Sequence, residues 1–218
     1  MRISTSAMVT VALLATASSA QAGKFVATDF AEGLENQAIV KHGVTIGLNS
    51  DPRGIAYEDG GAGGLGVYGG GADSEVGSVD KLTFFFSDPV NMHRLEIGKL
   101  FAEGVNGDII DENIRITTDN GSWVVTAADV VAGTVFANQD FGGNLVSVDG
   151  AGTWRLGGTS LFGGPITFMS LEPETEGLFP YYADFTFLSG SFTPVPAPGT
   201  AALAGVGCLM CARRRRAA

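Results

Sequence analysis

Asn113-Ile114-Arg115-Ile116-Thr117-Thr118, the turn Asp119-Asn120-Gly121, and Ser122-Trp123-Val124-Val125-Thr126 together form the stretch that decides the fold class. Ile114 and Ile116 alternate with Arg115 and Thr117, the period of two that sends successive side chains to opposite faces of a strand. An Asn-Gly step between two such runs is a strong short-range signal for a hairpin. Residues 111–126 therefore read as a β-hairpin with one apolar and one polar face.

The same period recurs upstream, where Leu82, Phe84 and Phe86 point one way while Thr83 and Phe85 point the other. Further short apolar runs, separated by Gly, Asn and Asp, mark candidate strands at 44–48, 54–57, 65–68, 81–86, 91–97, 113–117, 123–126, 134–137, 153–156, 166–170 and 182–188. Helix is expected only briefly, at 30–34 or 127–131, because no long stretch carries a 3.6-residue period. No repeat of fixed period is present, which argues against a propeller or solenoid. So many short strands suit two packed layers, and the expected fold is an all-β, two-sheet antiparallel β-sandwich of the jelly-roll kind.

Composition agrees with a folded body. Of 218 residues, 45% are apolar and 17% charged, too apolar for a disordered chain despite 32 glycines. All 23 acidic residues lie between residues 23 and 193, against only Lys24, Lys41, Arg53, Lys81, Arg94, Lys99, Arg115 and Arg155. A body this acidic repels nucleic acid and anionic lipid, so no nucleic-acid partner is expected. Cys208 and Cys211 both lie in a C-terminal apolar run, which excludes disulfides, thiolate metal sites and a cysteine nucleophile from residues 23–193.

The two ends read as targeting segments. Residues 1–22 combine Arg2, an apolar run from Ala7 to Ala17 and the small-residue pattern Ala20-Gln21-Ala22, the three parts of a secretory signal peptide, so the exported chain is expected to begin at Gly23. At the other end, Pro194-Val195-Pro196-Ala197-Pro198-Gly199 breaks regular structure, an uncharged run extends from Thr200 to Ala212, and Arg213, Arg214, Arg215 and Arg216 close it. The apolar run is shorter than the ~20 residues that usually span a bilayer, which suits a short transmembrane helix that anchors transiently. The arginine cluster places that terminus in the cytoplasm, and the signal peptide places the body outside, so both ends give one topology.

This tail resembles that of the PEP-CTERM proteins, in which a Pro-Glu-Pro-like motif, a short apolar helix and an arginine cluster follow one another. Ala197 stands where that family usually has Glu. The resemblance implies recognition by an exosortase, a membrane transpeptidase cutting near Pro196-Ala197-Pro198-Gly199, followed by release to the cell surface or an exopolysaccharide-rich extracellular matrix. It covers residues 194–218 only. Within residues 23–193, the run Gly64-Leu65-Gly66-Val67, an acidic loop and Leu82-Thr83-Phe84 also resemble part of sandwich domains found in such proteins.

Candidate ligand residues are fewer. Asp73, Glu75 and Asp80 place three carboxylates in a glycine-rich loop, the oxygen-rich and flexible setting that Ca2+ requires. Asp108, Asp111 and Glu112, and likewise Glu172, Glu174 and Glu176, read as surface charge. Exposed aromatics on sandwich modules can stack on sugar rings, and Tyr68 and Trp154, flanked or neighboured by glycines, are the candidate sugar platform, with Arg155 as an added donor. His42 and His93 sit in no catalytic pattern, and no nucleophile elbow, zinc-protease helix motif, P-loop or dinucleotide fingerprint is present. The expected function is non-catalytic, structural or adhesive. The alternatives are a carbohydrate-binding module, braced by calcium or not, and a sugar-active enzyme working through two carboxylates.

Overall fold

The computed structural model describes residues 21–51, 53–57, 64–67, 75–77, 80–105, 111–128, 131–150, 152–174 and 184–196. Among these residues thirteen strands follow one another: β1 (Gly23–Val26), β2 (Asn36–Lys41), β3 (Val44–Asp51), β4 (Ile55–Tyr57), β5 (Leu65–Val67), β6 (Lys81–Gly98), β7 (Asn113–Thr118), β8 (Gly121–Thr126), β9 (Val135–Gln139), β10 (Gly143–Ser147), β11 (Trp154–Gly157), β12 (Ile166–Pro173) and β13 (Thr186–Pro194). Every pairing is antiparallel. The chain is all-β, as the alternation predicted. Among the described residues, helix is limited to single 3-10 turns at Ala27–Asp29 and Leu161–Gly163. The brief helix expected at 30–34 is instead a turn, in which Gly33 takes a left-handed φ of 82°.

The two runs expected at 81–86 and 91–97 are a single 18-residue strand, and β6 organises the sheet. Its first half pairs with β3 on one side and β12 on the other; its second half pairs with β11 and β13. One wing of the sheet therefore runs β2-β3-β6-β12-β7-β8, and the other runs β4-β5-β13-β6-β11-β10-β9, with β1 also on the outer edge of β13. Between the halves lies Ser87-Asp88-Pro89-Val90, where the pairing with β12 loses register. A proline that cannot donate to the ladder suits such a break. An extra residue at His93 then shifts the inward set from Leu82, Phe84, Phe86, Val90 and Met92 to Leu95 and Ile97.

The apolar faces of the two wings meet. Phe84 and Phe86 from the first wing pack on Phe187, Phe192 and the β1 residue Phe25, with ring centroids 4.7 to 6.2 Å apart. One continuous core fills the space between them. Gly190 is required there, since a Cβ on it would lie 2.4 Å from the Phe25 ring.

Local turns explain the rest. The predicted hairpin is β7-β8, closed by Asp119 and Asn120 with Thr118 opposite Gly121. A second hairpin, β2-β3, turns through His42 and Gly43 at φ 50° and 81°, the double left-handed pair of a type I′ turn.

Candidate functional site

Because β6 doubles back, both of its ends lie at the same end of the body. Leu82 pairs with Leu171 and β7 begins beside Pro173 in the first wing, while Gly98 pairs with Thr186 in the second. Three buried carboxylates gather at this end: Glu75, Asp80 and Glu112. Glu112, read from sequence as surface charge, is only 1% exposed. It accepts the amide of Phe101 through one oxygen at 2.5 Å and that of Asp184 through the other at 3.4 Å, so a first-wing residue ties down two segments of the second. Glu75 faces the Lys99 ammonium at 3.9 Å. Asp80 folds back to accept the Gly77 amide at 3.1 Å through Oδ2, while its buried Oδ1 has no hydrogen-bond partner. Burial pushes the Asp80 carboxyl up, Gly77 and Arg53 pull it down, and Asp51 raises it again, with a net rise.

Of the expected calcium ligands, Asp73 lies outside the described residues. Glu75 and Asp80 are committed to different partners, and among the described residues no group of three or more His, Cys, Asp or Glu is arranged to hold a metal ion. Glu174 forms a two-pronged ion pair with Arg115, and Glu172 faces Lys81 at 3.6 Å, so these two carboxylates are paired across strands rather than merely solvated. Asp111 caps the Glu103 amide at 2.8 Å; Asp108 and Glu176 lie outside the described residues.

The sugar platform expected from sequence needs correction. Trp154 is 2% exposed and donates its indole N–H to the Leu100 carbonyl at 2.9 Å, so its ring belongs to the core; flanking glycines such as Gly152 and Gly157 do not predict exposure when the strand alternates inward at that position. Arg155 turns to the other face and pairs with Glu96 at 2.7 Å. Tyr68 lies outside the described residues. Trp123 and Tyr57 likewise spend their polar tips on backbone carbonyls, of Asp140 for Trp123 and of Phe30 for Tyr57. His93 bonds the Thr159 carbonyl through Nδ1 and the Thr193 hydroxyl through Nε2, a structural tie between strands; since a carbonyl only accepts, Nδ1 carries a proton.

Comparison with family models, with curated proteins and with solved structures finds no match to this chain. The site therefore stands on geometry alone.

That geometry offers a surface missed from sequence, the outer face of the first wing. Phe85, 51% exposed, is the most open aromatic side chain among the described residues. Its strand neighbours are Gly47 on one side and the half-buried Phe168 on the other. Beside it, cross-strand pairing lines up Asn36, Asn49, Thr83, Ser170, Thr117 and Ser122, one from each of the six strands. The next row holds Asp51, Lys81, Glu172 and Arg115. The alternation of Thr83 and Phe85 was legible in sequence; that Phe85 would stand uncovered beside a row of small polar residues depends on partners far along the chain.

Ala22 and Pro196 are exposed where the described body begins and ends. Ala20, Ala197, Pro198, Gly199 and Arg213 to Arg216, with the whole expected transmembrane helix, lie outside the described residues. Among the described residues, no helix is long and apolar enough to cross a membrane.

Proposed function

We propose that the chain is an exported, non-catalytic structural or adhesive protein of the cell surface or extracellular matrix. In this reading the folded sheet is a two-layer, jelly-roll-like sandwich, and residues 194–218 hold it at the membrane until an exosortase processes it. The observation that carries the proposal is the pairing of Gly23 with Phe192. The residue expected to open the exported chain is thereby bonded two positions before Pro194, so both targeting segments leave from one end of the body. The opposite end, with Glu75, Asp80 and Glu112, then points away from the membrane. A second observation supports the non-catalytic part. Among the described residues, Glu112 is held by two amides and Glu96 by Arg155 and Ser189, so neither of these two carboxylates is a free acid or base.

The test is fractionation of a bacterium that carries an exosortase and expresses the full chain, with mass spectrometry of both termini. The expected product starts at Gly23, lacks the arginine cluster and is found at the surface or in the medium. A chain retained in the cytoplasm with Met1 intact would overturn the reading.

A further inference from the structure

The outer face of the first wing combines one uncovered aromatic ring with an uncharged polar row, and this pairing points to a ligand class. We propose that this face binds a neutral polysaccharide chain, with the Phe85 ring stacking on a sugar and Asn49, Thr83 and Thr117 hydrogen-bonding its hydroxyls. The proposal rests on the adhesive reading above and gives it a binding surface.

Three features on this face fit such an occupant. A pyranose has an apolar C–H face that packs against an aromatic ring, and Phe85 offers a half-exposed ring for it. Gly47 beside it contributes no side chain, so the ring is open on that flank. Sugar hydroxyls both donate and accept, and so do the amides and hydroxyls of the neighbouring row. Those groups are held in place across strands: Asn49 Nδ2 donates to Asn36 Oδ1 at 2.7 Å, and Thr117 and Ser122 share a hydrogen bond at 3.1 Å. Between Thr83 and Thr117, the buried Ser170 hydroxyl has no hydrogen-bond partner of its own. Six strands at ~4.8 Å spacing give the row a length of about 24 Å, room for several sugar units laid across the strands.

Charge selects the ligand further. Lys81 and Arg115 in the adjacent row are already paired with Glu172 and Glu174, so among the described residues the face presents no spare cation to an anionic polymer. The body as a whole is acidic and repels one. A second copy of the chain is the less suitable occupant. A stable protein interface wants an apolar, well-packed centre of about 800 Å² per partner, whereas here the exposed Phe85, Val40 and Val124 stand apart on β6, β2 and β8 with polar side chains between them.

Affinity gel electrophoresis of the full chain tests the proposal, with hydroxyethylcellulose, galactomannan and dextran as neutral probes and alginate as the anionic one. Retardation by at least one neutral polymer and none by alginate is expected. Phe85→Ala should weaken that retardation about tenfold, while Phe85→Trp keeps it. Gly47→Val, which leaves Phe85 in place but covers its open flank, should weaken it as well. The proposal fails if no neutral polymer retards the wild type, or if Phe85→Ala is retarded equally. It also fails if sedimentation shows that Phe85→Ala turns a dimer into a monomer, since the face would then be a self-contact. None of these failures touches the export reading, which fractionation decides separately.

Discussion

Phe84 and Phe187 meet with ring centroids 4.7 Å apart, although one lies in the first wing and the other in the second. This contact closes the folded sheet on itself, and the adjacent residue in sequence, Phe85, faces the opposite way into solvent. Phe84→Ala should therefore remove a fully buried ring and leave a cavity, costing about 3–5 kcal/mol of unfolding free energy. Phe85→Ala should cost under about 0.5 kcal/mol, as exposed substitutions usually do. Urea unfolding of the two variants measures the difference. Equal losses would mean that β6 does not alternate as described.

The local part of this architecture was legible in sequence. Phe84 and Phe86 against Phe85, and Ile114 and Ile116 against Arg115, are neighbours whose period of two needs no distant partner to read. The β7-β8 turn was legible for the same reason. What could not be read were consequences of distant pairing. Nothing near Pro89 announces that 81–86 and 91–97 are one strand folding over between two wings. Glu112 looked like surface charge because its acceptors' partners, the Phe101 and Asp184 amides, come from elsewhere in the chain. Trp154 looked available because its partner, the Leu100 carbonyl, is 54 residues away. The strands β1, β2 and β10 were missed; β2 has alternate positions only half-buried, and β10 contains Gly143 and Asn144, residues that depress any strand signal.

Glu112 yields a stability test of the lacing between wings. Glu112→Ala would leave the Phe101 and Asp184 amides without the carboxylate that now accepts them. Removing a charged acceptor from these half-buried donors should cost about 1–3 kcal/mol. Hydrogen exchange gives the more specific readout, since the Phe101 amide should lose protection while amides in the β7-β8 hairpin keep theirs. Unchanged protection at Phe101 would refute the lacing.

Asp80 should behave in the opposite sense from an ordinary stabilising acid. Its folded pKa lies above the ordinary 3.8, chiefly through burial. Between 3.8 and that raised value the folded state holds more protons than the unfolded chain, so stability falls as pH rises across the window and stays lower above it. Asp80→Asn removes the buried charge and should stabilise the protein at pH 7 by about 1 kcal/mol. Below 3.8 the two proteins should unfold alike. A variant less stable than wild type at pH 7 would show that the ionised carboxylate is favoured where it sits.

Glu96 supplies the contrasting limb. Burial pushes its carboxyl up, but the Ser189 hydroxyl at 2.7 Å and the Arg155 guanidinium at 2.7 Å outweigh burial, and the net shift is below its ordinary 4.5. Its stabilisation is therefore fully present above 4.5 and is lost as pH falls through the lowered folded value. Glu96→Gln should lower stability at pH 7 by about 1 kcal/mol, the scale of a partly solvent-screened ion pair with a supporting hydrogen bond. The gap between variant and wild type should close on acidification, as wild type loses what the variant never had. Melting temperatures of both proteins from pH 7 to pH 3 decide the matter. A gap that stays constant across that range would mean the loss comes from packing around Arg155 and Ser189 rather than from the charge on Glu96.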